Sequence, residues 1–216
     1  MFRFSDMSPI EMITRLLALM VCFTVHEYCH GLSAYLLGDS TAKRDGRLSL
    51  NPVKHVDPIG LVMLMLVGFG WAKPVMVDPR RLKNPKGDMA IISFCGPASN
   101  FLLGFIFIMI YPLSNYVPGI LGDFLTAFLV QGFQMNIALG IFNMLPIPPL
   151  DGLKVFSAIL PDDLYAKVMN FNSRAGTYLF LILALTGILG RILSPLISAV
   201  ANAYMFAVSN IYGLFL

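Results

Sequence analysis

His26-Glu27-Tyr28-Cys29-His30 is the stretch that decides both the fold and the chemistry. It reads H-E-x-x-H inside an apolar run from Leu16 to Leu37 that is long enough to span a bilayer. At 3.6 residues per turn, His26 and His30 fall one turn apart on the same helix face, so two imidazole nitrogens can address one metal. Glu27 lies about 100° around the helix, within reach of a metal-bound water and able to take its proton. Each of these groups is costly in a membrane span unless it has a partner or a task. The chain has three histidines, and two are spent here. A metal site on the first span is the expectation.

Composition sets the surroundings. The 216 residues are 57% hydrophobic and 12% charged, with a mean hydropathy of +0.75. A soluble domain carries about twice that charged fraction, so an all-α polytopic membrane protein is expected in a lipid bilayer. Met1 to Asp6 offer no basic region followed by a cleavage site, so no removable signal peptide is read. The net charge of +3 is small, and it points to no nucleic-acid partner and no particular oligomeric state. Cys22, Cys29 and Cys95 lie in apolar runs without paired spacing and read as small buried residues rather than disulfides or ligands.

Outward from the motif, the first span is expected over about 9–37, closed by Gly38. Residues 39–72 read as a β-hairpin turning at Asp45-Gly46 and a short re-entrant or interfacial run, Ile59 to Trp71. Further spans are expected over about 89–113 and 124–145, the latter broken by Pro146, Pro148 and Pro149 just before Asp151. A catalytic core of residues 1–160 is then followed, over 161–216, by a C-terminal hairpin of two spans broken at Ser194-Pro195. Nine of the fifteen Lys and Arg lie between the first two spans, and the connection from Ser114 to Asp123 has none. The positive-inside rule puts the first connection in the cytoplasm, and with it the cytoplasmic ends of helices one and three.

Two histidines leave a catalytic zinc site one protein ligand short. Asp151, His55, Asp57 and Asp123 are the candidates, and Asp123 falls on the opposite side of the membrane. Asp151 is favoured, because proline-broken backbone at membrane depth is tolerated where it lines a wet cavity. His55 reads instead as a structural histidine beside the hairpin.

The motif HEYCH, the run Gly96-Pro97-Ala98-Ser99-Asn100 and the run Asn143-Met144-Leu145-Pro146-Ile147-Pro148-Pro149-Leu150-Asp151-Gly152 together resemble the site-2 protease family of intramembrane zinc metalloproteases. The stretch from Gly38 through Asp57-Pro58 resembles its compact prokaryotic branch, with no room for a periplasmic peptide-binding or appended regulatory domain. The resemblance implies one zinc per chain on His26, His30 and Asp151, with Glu27 as general base in a three-helix core facing the cytosol. It also suggests that Asn143 faces the site, as a donor for the developing oxyanion. Asn100, Gly96, Pro97 and His55 are read as substrate-binding or structural support. The expected activity is endopeptidase cleavage in or near the transmembrane segments of membrane-protein or signal-peptide-like substrates, that is, regulated intramembrane proteolysis at a prokaryotic cell membrane. The Asp45-Gly46 hairpin would offer a sheet edge for an unwound substrate. The alternative is a metal-binding membrane transporter.

Overall fold

Ser8 and Glu11 start the first helix by capping each other. The computed structural model describes residues 7–67, 70–170, 176, 178, 182–183 and 186–213. In it Ser8 Oγ accepts from the Glu11 amide at 3.3 Å while Glu11 Oε2 accepts from the Ser8 amide at 2.8 Å. With Pro9 at the first helical position, this satisfies amides that the helix itself leaves open, and helix α1 runs Pro9–Leu36. After it come α2 (Thr41–Arg44), α3 (Pro58–Val67), α4 (Pro85–Ile110), α5 (Gly119–Asn143), α6 (Asp151–Ser157), α7 (Asp162–Asn170) and α8 (Ile188–Gly213).

Four of these, α1, α4 with its 3-10 extension to Tyr116, α5 and α8, are long and apolar enough to cross a membrane. The chain is a multi-pass membrane protein. Helices α1, α4 and α5 pack on one another, and α8 lies against α4 and α5. The main core is apolar: Phe107 and Ile108 of α4, Leu129, Phe133, Ile137 and Ile141 of α5, and Leu193 and Val208 of α8. Tyr212 reaches across from α8 and donates to the Met109 carbonyl at 2.7 Å. On α4's first turn, Lys86 Nζ donates to Leu160 O at 2.6 Å and to Asp162 Oδ1 at 2.7 Å, which ties α4 to the turn between α6 and α7.

The expected hairpin is not there. Thr41–Arg44 is helical, and among the described residues the only strand-like pairing is an isolated antiparallel bridge between Val56 and Ala72. Local chemistry explains the difference. Asp39 Oδ1 accepts from the Thr41 amide at 2.9 Å and from its hydroxyl, starting a helical turn in place of a strand. Ala42 is then fully buried beside Gly31 of α1. Gly46, at φ +67°, ends the turn in the left-handed conformation, and the Arg47 amide donates back to Ala42 O at 2.8 Å. Asp45-Gly46 is thus a helix terminator rather than a hairpin turn, and the sheet edge expected for substrate goes with it.

The other elements differ less. The short apolar run is helical over Pro58–Val67, about 15 Å long at 1.5 Å per residue and too short to span. The break expected at Ser194-Pro195 is absent, because α8 continues through Pro195. Thr186-Gly187, with Gly187 at φ +71°, makes the turn ahead of it. Of the fourth span expected from Gly176 to about Leu193, most of 176–185 lies outside the described residues, and the end from Ile188 belongs to α8.

Between the bridge and α4, residues 73–78 pass under α1 without regular structure, held at both ends and in the middle. The Lys73 amide donates to His55 O at 2.8 Å, the Val75 amide to Glu27 Oε2 at 2.8 Å, and the Asp78 amide to Asp39 Oδ2 at 2.7 Å. Burial works against the Asp39 charge, but the donors from Thr41 and Asp78, with Arg81 nearby, outweigh it and hold the carboxyl below its ordinary 3.8. Asp78, hydrogen-bonded to Arg80, is lowered to about 2. Both groups bind a proton less readily folded than unfolded. Their stabilisation is therefore complete above the unfolded value and is lost as pH falls through the lowered folded values. Hydrogen-exchange protection of the Thr41 and Asp78 amides should be flat from pH 7 to about 4 and fall below that. Loss already between pH 7 and 5 would show that another group holds the segment.

Candidate metal centre

His26 and His30 project from α1 onto α4, whose residues answer them at a spacing of four. Ile92 O accepts from His30 Nδ1 at 2.7 Å, and Asn100 Oδ1 accepts from His26 Nδ1 at 2.6 Å. Between these two, Gly96 lies against both rings. Ile92, Gly96 and Asn100 share one face of α4, and the pairing of 30 with 92 and 26 with 100 makes α1 and α4 antiparallel. Gly96 is glycine because nothing larger fits: a Cβ there would overlap His30 Nε2 and lie 2.8 Å from His26 Cε1.

The network continues inward. Asn100 Nδ2 donates to Asn136 Oδ1 at 2.8 Å, and Asn136 Nδ2 donates to Cys22 Sγ and to Gly132 O, each at 2.8 Å. Asn100 and Asn136 are both fully buried, so α1, α4 and α5 are joined by polar groups that leave no amide donor unspent. This fixes the tautomers. Ile92 O can only accept, and Asn100 presents its oxygen, so both Nδ1 atoms carry the proton and both Nε2 atoms are bare in the neutral rings.

Asp151, the first residue of α6, completes the set. Its Oδ2 lies 3.1 Å from His30 Nε2 and 3.2 Å from His26 Nε2, and the two Nε2 atoms are 3.0 Å apart. Three lone-pair atoms thus converge with no hydrogen between them, an arrangement that repels itself unless a cation sits among them. Donors around a tetrahedral zinc at about 2.0–2.1 Å lie about 3.3–3.4 Å apart, close to the observed spacing. The donor set fits a metal. Among the described residues these three form the one such cluster.

The cluster opens on a cavity of about 180 Å³ lined by Glu27, Pro74, Val75, Asn143 and Lys154, among others. Glu27 is half-buried and held by the Val75 amide. Asn143 also lines the cavity, but its Nδ2 donates to Leu139 O at 3.0 Å, one turn back on its own helix. Pro97 is buried inside α4, next to Gly96. His55 stands apart: it is buried, with Nε2 2.7 Å from Ser49 O, and lines a separate small cavity with Thr24, Asp57 and Trp71. Asp123 is near the other end of α5, about 30 Å along the helix from Asn143.

Reading the sequence missed four participants. Ile92 acts through its carbonyl and Val75 through its amide, and neither leaves a side-chain signal. Asn136 was visible as a polar residue in a span without an assignable partner. Lys154 had a usable signal, its i, i+3 spacing from Asp151.

Comparison with known proteins identifies the family. The model of peptidase family M50 matches residues 119–185, which include Asn143 and Asp151. The chain is 38% identical over 200 residues, 91% of each protein, to one named "Putative zinc metalloprotease YwhC" from Bacillus subtilis. Two proteins of the same description are more distant. Rip2 of Mycolicibacterium smegmatis is 28% identical over 62% of this chain and 52% of its own length. MJ0611 of Methanocaldococcus jannaschii is 29% identical over 71% of this chain and 74% of its own. No solved structure matches. The chain belongs to the site-2 protease family, peptidase family M50.

Proposed function

We propose that this chain is a zinc-dependent intramembrane endopeptidase, hydrolysing peptide bonds in or near the transmembrane segments of membrane-protein substrates. The observation that carries the reading is the convergence of three bare lone-pair atoms from His26, His30 and Asp151 beside a carboxylate, Glu27, in one cavity. The relatives' descriptions as zinc metalloproteases support zinc as the metal. One zinc per chain would be held by those three residues, within a catalytic unit of residues 1–160. When bound, it supplies Lewis acidity, lowering the pKa of a coordinated water towards about 7 and polarising a carbonyl.

The chain's own residues supply the rest. Asn100 and Ile92 hold the two imidazoles in the tautomer that leaves Nε2 free. Glu27, positioned by the Val75 amide, takes a proton from the attacking water as the C–O bond forms. It returns that proton to the departing amide nitrogen as the C–N bond breaks. His30 lies six residues, about 9 Å, inside the Leu36 end of α1, so the reacting bond belongs to a segment that enters the membrane. The eight basic residues between α1 and α4, with Lys86 on the first turn of α4, support a site towards the cytoplasm. Transport gains no support, since the described residues hold no second cluster to receive a metal.

Metal removal tests the reading. The purified protein should contain one zinc per chain, lose cleavage of a transmembrane peptide on chelation, and recover it when zinc is restored. Cleavage that survives complete removal of the metal would contradict it.

A further inference from the structure

The cavity is lined by one Lys ammonium, that of Lys154, for which the described residues offer no acceptor. Lys154 stands one turn after Asp151 on α6, on the same face, and lines the cavity with His26, Glu27, His30 and Asp151. It is half-buried, and no carboxylate or carbonyl among the described residues accepts from its ammonium. A long flexible cation directed into a partly buried cavity and left unpaired there implies a partner that arrives with the substrate.

Peptide hydrolysis produces such a partner. As water adds, the carbonyl π electrons move onto the oxygen of the scissile bond, and a donor aimed at that oxygen accelerates the reaction. Two other side-chain donors line the cavity. Asn143 spends one of its two amide hydrogens on Leu139 O, and both it and the Ser93 hydroxyl are neutral donors. Hydrogen bonds from a charged donor are roughly twice as strong as neutral ones.

We propose that Lys154 is the oxyanion-stabilising residue of this site, donating from its ammonium to the scissile carbonyl oxygen. Lys154 keeps its proton throughout. The proton lost by water goes to Glu27 and then to the leaving nitrogen, and the oxyanion's electrons re-form the carbonyl as the C–N bond breaks. This inference rests on the peptidase reading.

The test uses the full chain in detergent with zinc, the transmembrane peptide that wild type cleaves fastest, and a phosphinic analogue of that peptide at the cleaved bond. The analogue carries a tetrahedral anionic centre; the parent peptide does not. Lys154→Gln should lower kcat by about 10²–10³-fold with KM nearly unchanged. It should weaken binding of the analogue by a similar factor while parent-peptide affinity and zinc content stay at wild-type levels. Lys154→Arg, which keeps the charge, should recover part of both losses. Unchanged kcat and analogue affinity in Lys154→Gln would overturn the inference, as would equal weakening of parent and analogue. Wild type cleaving while the Lys154 variants match it sinks this inference alone. Zinc-loaded wild type that cleaves no peptide sinks the peptidase reading and this inference with it.

Discussion

Glu27→Gln is expected to keep its zinc and lose cleavage by about 10²–10⁴-fold, the range for removing a general base. The geometry separates the two properties. Glu27 is outside the converging trio, and its carboxylate accepts from the Val75 amide at 2.8 Å. A glutamine has the same shape and can accept the same hydrogen bond through its amide oxygen, so the segment 73–78 should remain in place. What it cannot do is take a proton. Zinc content equal to wild type with turnover lost would assign Glu27 to the chemistry. Loss of zinc in proportion to activity would make it part of the metal's support instead.

Gly96→Val is expected to do the reverse, removing the metal while leaving every proposed catalytic group in the chain. The added carbons would occupy the space now filled by the edges of both imidazoles, and α4 cannot retreat because Ile92 and Asn100 grip the same two rings on either side. The histidines must turn, and a misplacement of about 1 Å in such a centre costs about 10²-fold in rate. We expect kcat/KM to fall at least that far and zinc content to drop below one per chain, with Gly96→Ala lying between Val and wild type. Full zinc occupancy in the valine variant would mean that the rings have more room than the packing indicates. Asn100→Ala makes a useful comparison, since it frees one imidazole without filling space.

Much of this centre was legible before any coordinates. The H-E-x-x-H spacing puts two imidazoles on one face of a helix with a carboxylate beside them, because α-helical geometry is the same in every context. Asp151 followed from topology and from proline-broken backbone ahead of it. The glycine at 96 looked like a packing residue, and it is one, but what it packs against is the pair of imidazoles of His26 and His30. The hairpin failed for a physical reason: Asp-Gly ends a short helix as readily as it turns a hairpin. The choice was made by Asp39 capping Thr41 and by burial of Ala42 against Gly31, contacts that local pattern does not report. Segment 73–78 was equally hidden, because its hold on Glu27 is a backbone amide. Asn143 was expected to face the site and does line the cavity, with one of its two amide hydrogens given to Leu139 O on its own helix.

The most direct test of the account is to locate the bond that is cut. Purified zinc-loaded protein would be incubated with transmembrane peptides, and the products read by mass spectrometry beside Glu27→Gln and chelated samples. The account predicts wild-type cleavage at a bond inside or at the edge of the hydrophobic segment, absent from both controls. Products that arise only in soluble flanking sequence, or that persist in Glu27→Gln, would contradict it.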